Sequence, residues 1–460
     1  MARSINRRDF LRSSAVTGAG AVLGGIALGG CSGAPMLTTK PRVLTTEPKD
    51  EIRIGFVGIG NMGSGHVRRL MHIPGSKIAA VCDIRPSRTK WAVEQAKSAG
   101  LEVPAVYGKD ETDFVRMCEN EDLDLVYNAA PWEWHTPICL AAMENGSHAA
   151  SEVNIALSIE DCWKLVETAE KTKKHCVMME NCCYDKAEMA VMNMVGQKLF
   201  GDLVHGECGY LHDLRGLLIS DTYYQGQWRW KEQTTRDGNL YPTHGIGPMA
   251  WCMDINRGDT FDYMVSVSSR ALGLHQYVVE KLGADHPMAK TDVACGDVNI
   301  ALIRTKKGKT IICKHDTHLP RPYSRDFLVQ GTKGIMRKYP KSRVHIEGKS
   351  KGHGWEDFGS YLKEYEHPVW KATQERIAKA GSGGMGHGGM DYIEDYRLIQ
   401  ALRRGISPDI DVYDSVLWSS VIPVSEESVR KQGEPVKFPD FTRGMWKKER
   451  KLGIVEYPSL

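Results

Sequence analysis

The residues most able to do chemistry open the folded part of the chain. Gly58-Ile59-Gly60-Asn61-Met62-Gly63 follows the apolar run Ile52–Val57 and precedes a helical stretch over 66–71. Glycines at these spacings allow a tight turn, close approach of the backbone to a pyrophosphate, and close helix packing. The helix start adds amide donors and the positive end of its dipole. A second strand, over 77–82, ends in Asp83, twenty positions past Gly63. An acid there accepts hydrogen bonds from the adenine ribose and repels a ribose phosphate. The cofactor read from this set is NAD, with Arg85 and Arg88 nearby leaving room for NADP.

A second set lies far downstream, in Tyr241-Pro242-Thr243-His244-Gly245-Ile246-Gly247-Pro248. Imidazole titrates near neutral pH, so His244 is the expected proton-transfer group; alone it would read as a core histidine. Tyr241, three positions earlier, either acts as a base with lowered pKa or orients the nicotinamide. Arg229, in Trp228-Arg229-Trp230, has a planar fork suited to hydroxyls or a carbonyl, or to a surface salt bridge. Tyr323, among Arg321, Pro322 and Arg325, is a stacking wall or a packed loop residue. No HExxH and no Cys–His cluster occurs, so no metal is expected. His353, His367 and His387 read as solvated-loop residues.

The elements that position these groups alternate strand and helix. Further strands are expected over 123–128, 148–151 and 175–179, with helices over 137–145 and 159–172. Trp132-Glu133-Trp134-His135, Glu152-Val153-Asn154 and Asn181 then stand at strand carboxyl ends, where ligands of parallel sheets lie. After Asn181 a helix over 186–198 precedes strands over 203–210, 262–270, 297–305 and 310–316. Helices near 392–403 and 412–427 are expected to pack back on the core, and residues 381–389 to form a glycine-rich loop. The fold class is α/β: an N-terminal Rossmann domain with a parallel sheet, plus a C-terminal α+β domain with an open, mostly antiparallel sheet.

The 460 residues carry 60 basic and 57 acidic side chains, a formal net charge of +3, which gives no reason to expect a nucleic-acid partner. Twelve scattered cysteines, none in a CxxC pair, read as small buried hydrophobes. Arg7-Arg8 within Ser4-Ile5-Asn6-Arg7-Arg8-Asp9-Phe10-Leu11, followed by an uncharged apolar stretch over 15–28, is the twin-arginine pattern of folded export. Cys31, after Leu28-Gly29-Gly30, is either the lipidated residue of a lipobox or the neighbour of an ordinary signal-peptidase site. The expected organisation is a signal segment over 1–31, a linker over 32–50, the NAD-binding domain over 51–182 and a substrate domain over 183–460. Homo-oligomer formation stays open.

The two-domain plan resembles the glucose–fructose oxidoreductase family (Gfo/Idh/MocA). That family's usual Glu-Lys-Pro is here Glu152-Val153-Asn154, without the lysine that assists hydroxyl deprotonation. The positions three before and three after His244 are Tyr241 and Gly247, where the family places an aspartate. The motif from Tyr241 to Pro248, with Trp132-Glu133-Trp134-His135, Glu180-Asn181-Cys182-Cys183-Tyr184 and the twin-arginine leader, resembles a narrower group, glycoside hydrolase family 109, whose members are NAD-dependent α-N-acetylgalactosaminidases. The resemblance implies cofactor contacts from Gly58, Gly60, Asn61, Met62, Gly63, Asp83, Trp132, Glu133, Trp134, His135, Glu152, Val153, Asn181 and Tyr241. It implies a sugar site of Tyr210, Arg229, Tyr241, Pro242, Thr243, His244 and Tyr323, with His244 and Tyr241 catalytic. The implied reaction oxidises carbon 3 of the sugar, eliminates the group at carbon 1, adds water and reduces the ketone again. NAD-dependent glycosidases are among the exceptions to two-carboxylate hydrolysis. The alternatives are a periplasmic NAD-dependent sugar or inositol dehydrogenase of the same fold, and a non-catalytic sugar-binding protein that retains NAD.

Overall fold

The computed structural model describes residues 46–380 and 386–460. The twin-arginine segment, Cys31, most of the linker and part of the glycine-rich loop fall outside them. Six short strands form one parallel sheet: β1 (Ile52–Val57), β2 (Ser76–Cys82), β3 (Ala105–Tyr107), β4 (Leu125–Asn128), β5 (His148–Ser151) and β6 (Cys176–Met178), in the order β3-β2-β1-β4-β5-β6. Helices cover both faces, so the strands read as nearly continuous apolar runs. Phe56 of β1 stacks on Tyr127 of β4 in the core, ring centroids 5.1 Å apart. The strand order reverses between β1 and β4, which opens a crevice at their carboxyl ends.

The helices of this layer are α1 (Asn61–Leu70), α2 (Pro86–Ser98), α3 (Asp113–Asn120), α4 (Trp132–Glu144) and α5 (Ile159–Thr172). Proline favours helix starts, which suggests a helix beginning at Pro137. It begins one turn earlier at Trp132, with Pro137 inside. Trp132 to His135 therefore sit on the first turn of α4, not in a loop. The strand β3 and helices α2 and α3 have no counterpart among the elements expected from sequence.

After α6 (Lys186–Gly196) comes a nine-stranded sheet. Its strands are β7 (Leu203–Leu211), β8 (Phe261–Ser268), β9 (Asn299–Thr305), β10 (Thr310–Asp316), β11 (Leu328–Gly331), β12 (Gly334–Arg337), β13 (Arg343–Ile346), β14 (Glu356–Asp357) and β15 (Val436–Lys437). The order is β14-β13-β12-β11-β7-β10-β9-β8-β15; β7 and β10 run parallel and all other neighbours antiparallel. Three more elements matter for the site: α7 (Trp228–Thr235), α8 (Thr243–Cys252) and α9 (Met390–Arg403). The single helix expected over 412–427 is two, α10 (Val412–Ser419) and α11 (Val421–Arg430), separated at Ser420. As expected, these C-terminal helices pack back: α9 lies on α1, α10 on α5 and β6, and α11 on β8. The eleven cysteines of the described residues are all buried and unbridged.

Candidate active site

The cleft at the carboxyl ends of β1, β4 and β5 encloses about 540 Å³. Its floor is the glycine turn. Gly58 has φ +82°, and a Cβ there would lie 2.5 Å from the Ala130 amide nitrogen. A side chain is excluded on both counts. A Cβ on Gly63 would meet the Gly58 carbonyl oxygen at 2.0 Å, so α1 sits against the turn as a phosphate-binding helix must. Gly60, Asn61 and Met62 line the cleft. Asp83 accepts from the Ile59 amide at 2.7 Å and from the Arg85 amide at 2.9 Å, and its ion pair with Arg85 is 3.0 Å. One carboxylate thus fixes the turn and closes the adenine-ribose end. Backbone, helix start and acid fit a dinucleotide, and NAD in particular.

The other wall comes from the second sheet and its helices. α8 lies close on β7: a Cβ on Gly245 would fall 2.5 Å from the Gly209 amide nitrogen. This contact presents His244 to the cleft. Its Nδ1 donates to Glu180 Oε1 at 2.7 Å, and Nε2 has no partner among the described residues. Glu180 follows β6, is fully buried, and also accepts from the Cys182 amide at 3.0 Å. Burial alone would raise its carboxyl; the His244 imidazole and these donors outweigh that and hold it below the usual carboxylate range. Glu180, Cys182 and His244 each offer a metal-ligand atom within 4.8 Å of one another, and the hydrogen bond between His244 and Glu180 accounts for two of the three.

Beside His244 the rings of Trp132, Tyr210 and Tyr241 pack together. Trp132 stacks on Tyr241 at 5.7 Å, and Tyr241 meets Tyr210 at 4.5 Å and His244 at 4.9 Å. Arg229 lies over Tyr241 at 4.5 Å and over Trp132 at 4.9 Å. It is buried, not a surface salt bridge: it donates to Tyr224 Oη at 2.9 Å and has no carboxylate within ion-pair distance among the described residues. A desolvated guanidinium held by rings and one phenol hydroxyl keeps donors for a ligand carbonyl or hydroxyl. Burial raises the Tyr241 phenol well above its ordinary value despite Arg229. The shift favours the protonated, hydrogen-bond-donating form of Tyr241.

Glu133, Trp134, His135, Glu152, Val153 and Asn181 also line the cleft. The ring nitrogens of His135 face backbone carbonyls, Asn154 at 2.6 Å and Ala130 at 2.8 Å, and the neutral ring that burial favours donates to one of them. Trp132 Nε1 donates to the Val153 carbonyl at 3.0 Å. Gly63, Pro242, Thr243 and Tyr323 are not on the lining. Thr243 is fully buried, and Tyr323 stands edge-on to Tyr210 at 6.2 Å and to His212 at 5.0 Å. Sequence reasoning missed His212, Tyr224 and the partner role of Glu180, although Glu180 heads a motif it quoted. One histidine departs from the solvated-loop reading: His367 is buried, whereas His387 is exposed and stands at the rim of the cleft, 3.0 Å from Asp391.

A family model described as glycosyl hydrolase 109, C-terminal domain, matches residues 184–448. One for the oxidoreductase family with NAD-binding Rossmann fold matches 52–180, and one for the twin-arginine translocation signal matches 4–24. A glycosyl hydrolase family 109 protein of Shewanella pealeana is 42% identical, over 98% of this chain and 99% of its own length. A Shewanella oneidensis protein named alpha-N-acetylgalactosaminidase is 42% identical with the same coverage. Among solved structures, a levoglucosan dehydrogenase in complex with NADH and levoglucosan aligns with TM-score 0.64 at 18% identity, covering 85% of this chain and 100% of that one. A Lactobacillus casei scyllo-inositol dehydrogenase with bound NAD(H) and scyllo-inositol gives 0.58 at 17% identity, covering 84% and 99%. At these identities the solved structures establish the fold alone.

Asp83→Arg is expected to raise the NAD dissociation constant ten- to a hundredfold, the effect of roughly 1.5–3 kcal/mol for a charged hydrogen-bonding group. The relative preference should move toward NADP. Titration of the purified protein with both dinucleotides measures this; unchanged NAD affinity contradicts the assignment of Asp83 to the ribose.

Proposed function

The chain belongs to glycosyl hydrolase family 109, and on that premise we propose that it removes terminal α-linked N-acetylgalactosamine by transient oxidation of the sugar at carbon 3. The observation that carries this reading is the hydrogen bond between Glu180 and His244, at the wall of the same cleft whose floor is the glycine turn. Bound NAD supplies reversible oxidation at carbon 3, with no net redox change over a cycle. A ketone at carbon 3 makes the hydrogen on carbon 2 acidic. His244 takes that proton on Nε2 while Glu180 fixes the ring and stabilises the imidazolium. The bond from carbon 1 to the leaving group then breaks as its oxygen takes a proton from solvent, water adds its hydroxyl at carbon 1 and gives a proton back to solvent, and His244, by then in exchange with solvent, returns a proton to carbon 2. Tyr241 donates a hydrogen bond to the oxygen at carbon 3, where negative charge develops. Arg229 binds the N-acetyl carbonyl with its free donors, and the ring of Tyr210 packs against the sugar.

The twin-arginine signal supports export in the folded state, to the periplasm, with Cys31 as the site of a lipid anchor if its lipobox is processed. Eleven buried thiols fit this route, because they are covered before an oxidising compartment is reached.

The test is incubation of the purified protein with a chromogenic α-N-acetylgalactosaminide while NADH absorbance is followed. Release of the chromophore without accumulation of NADH is expected. NADH rising in proportion to sugar consumed contradicts the reading and favours the dehydrogenase. His244→Ala should lower kcat by about a hundredfold or more, with NAD still bound; an unimpaired variant removes His244 from the mechanism.

Replacing Arg7 and Arg8 together by lysine should leave active enzyme in the cytoplasm. Cell fractionation and activity assay of each fraction check this, and undiminished export of the double variant contradicts it.

A further inference from the structure

The cleft contains a second carboxylate–imidazole pair, arranged the opposite way round from Glu180 and His244. Glu152 follows β5 and faces the cleft with its side chain 15% exposed. Behind it His66 of α1 is fully buried, with Nε2 2.7 Å from Glu152 Oε1 and Nδ1 2.8 Å from Asp395 Oδ1. Nδ1 also lies 2.8 Å from Arg69 Nη2 and 2.9 Å from Tyr127 Oη, and with a carboxylate at each ring nitrogen the imidazolium is the form that donates to both. Burial alone would lower the His66 pKa; the Asp395 charge and the hydrogen bonds to Asp395 and Glu152 overcome that and the repulsion from Arg69, raising it to about 9.

Asp395 is itself over-determined. It accepts from Arg69 Nε at 2.7 Å and from Tyr127 Oη at 2.9 Å. Arg69 also lies 3.6 Å from Asp391, one turn earlier on α9. Two carboxylates of α9, at i and i+4, therefore meet two cations of α1, at i and i+3. Desolvating such a group is expensive, and apolar side chains of the same volume would hold two helices together at least as well. Its distinctive product is orientation: a chain of charged hydrogen bonds that ends on one carboxylate in the cleft.

We propose that His66, anchored by Asp395, is a positioning residue that fixes the Glu152 carboxylate in the cleft, and that Glu152 so held is a second proton acceptor of the reaction, taking the proton of the sugar hydroxyl at carbon 3. The O–H bond breaks toward Glu152 as that carbon is oxidised, and the proton returns on reduction. The inference rests on the reaction proposed above. It assigns the cleft two proton-transfer groups of different chemistry: an imidazole backed by a carboxylate and a carboxylate backed by an imidazolium.

A double-mutant cycle with His66→Gln and Glu152→Gln on the full chain tests it, read as kcat on the chromogenic glycoside. Each single variant should lose tenfold or more in kcat, with KM changed less than threefold. The double variant should be no slower than Glu152→Gln alone, because His66 acts through Glu152. Losses that multiply overturn the proposal and leave His66 a structural residue, as does a His66→Gln loss that merely follows a drop in melting temperature. Should His66 variants not fold, Asp395→Asn removes the anchor while keeping the imidazole, and the same non-additivity with Glu152→Gln is expected. A wild-type enzyme without glycoside turnover would instead overturn the proposed function. The cycle is then read as NAD affinity, where independent effects of the two substitutions overturn the positioning role.

Discussion

One hydrogen bond ties the two halves of this site together: His244 Nδ1 to Glu180 Oε1 at 2.7 Å. Glu180 comes from the end of the parallel sheet that holds the dinucleotide turn, and His244 from a helix lying on the second sheet. The bond therefore fixes the distance between the cofactor floor and the proton-transfer wall. Neither residue would do this alone. A fully buried carboxylate needs a donor, and an imidazole beside the cleft needs one nitrogen held so that the other is presented. The close contact of Gly245 with Gly209 fixes the helix that carries the histidine.

The two carboxylate–imidazole pairs explain why so many ionisable groups are buried here. In one, the carboxylate is hidden and the imidazole faces the cleft; in the other, the imidazole is hidden and the carboxylate faces the cleft. Both use groups from elements far apart in the chain, and both hold a charge that water would otherwise solvate. Arg229 adds a third charge, held by the rings of Tyr241, Trp132 and Tyr224. A preorganised cleft of this kind stabilises developing charge without reorganising at the moment of reaction.

The NAD half was legible because its signal is local. Ile52–Val57, the glycine turn, α1 and Asp83 lie within one stretch, and strand β5 and helix α5 begin and end where hydrophobic patterning puts them. The catalytic half was legible only as a motif with a family resemblance. Tyr241 and His244 are close in sequence, but the partner of His244 lies 64 positions away, and the anchor of His66 lies 329 away. No spacing reveals such pairs; only the packing of α8 on β7 and of α9 on α1 creates them. The same cause hides the burial of His367, whose charge-rich surroundings suggest solvent. The start of α4 was hidden by Pro137, which reads as a first-turn residue yet lies inside the helix.

The central claim is that carbon 2 of the sugar loses and regains a proton in each turnover. Hydrolysis of an α-N-acetylgalactosaminide in heavy water, with the released sugar analysed by nuclear magnetic resonance, measures it directly. The account predicts deuterium at carbon 2 of the product. Released sugar that keeps its original hydrogen at carbon 2 would contradict the account, because direct displacement at carbon 1 never breaks that bond.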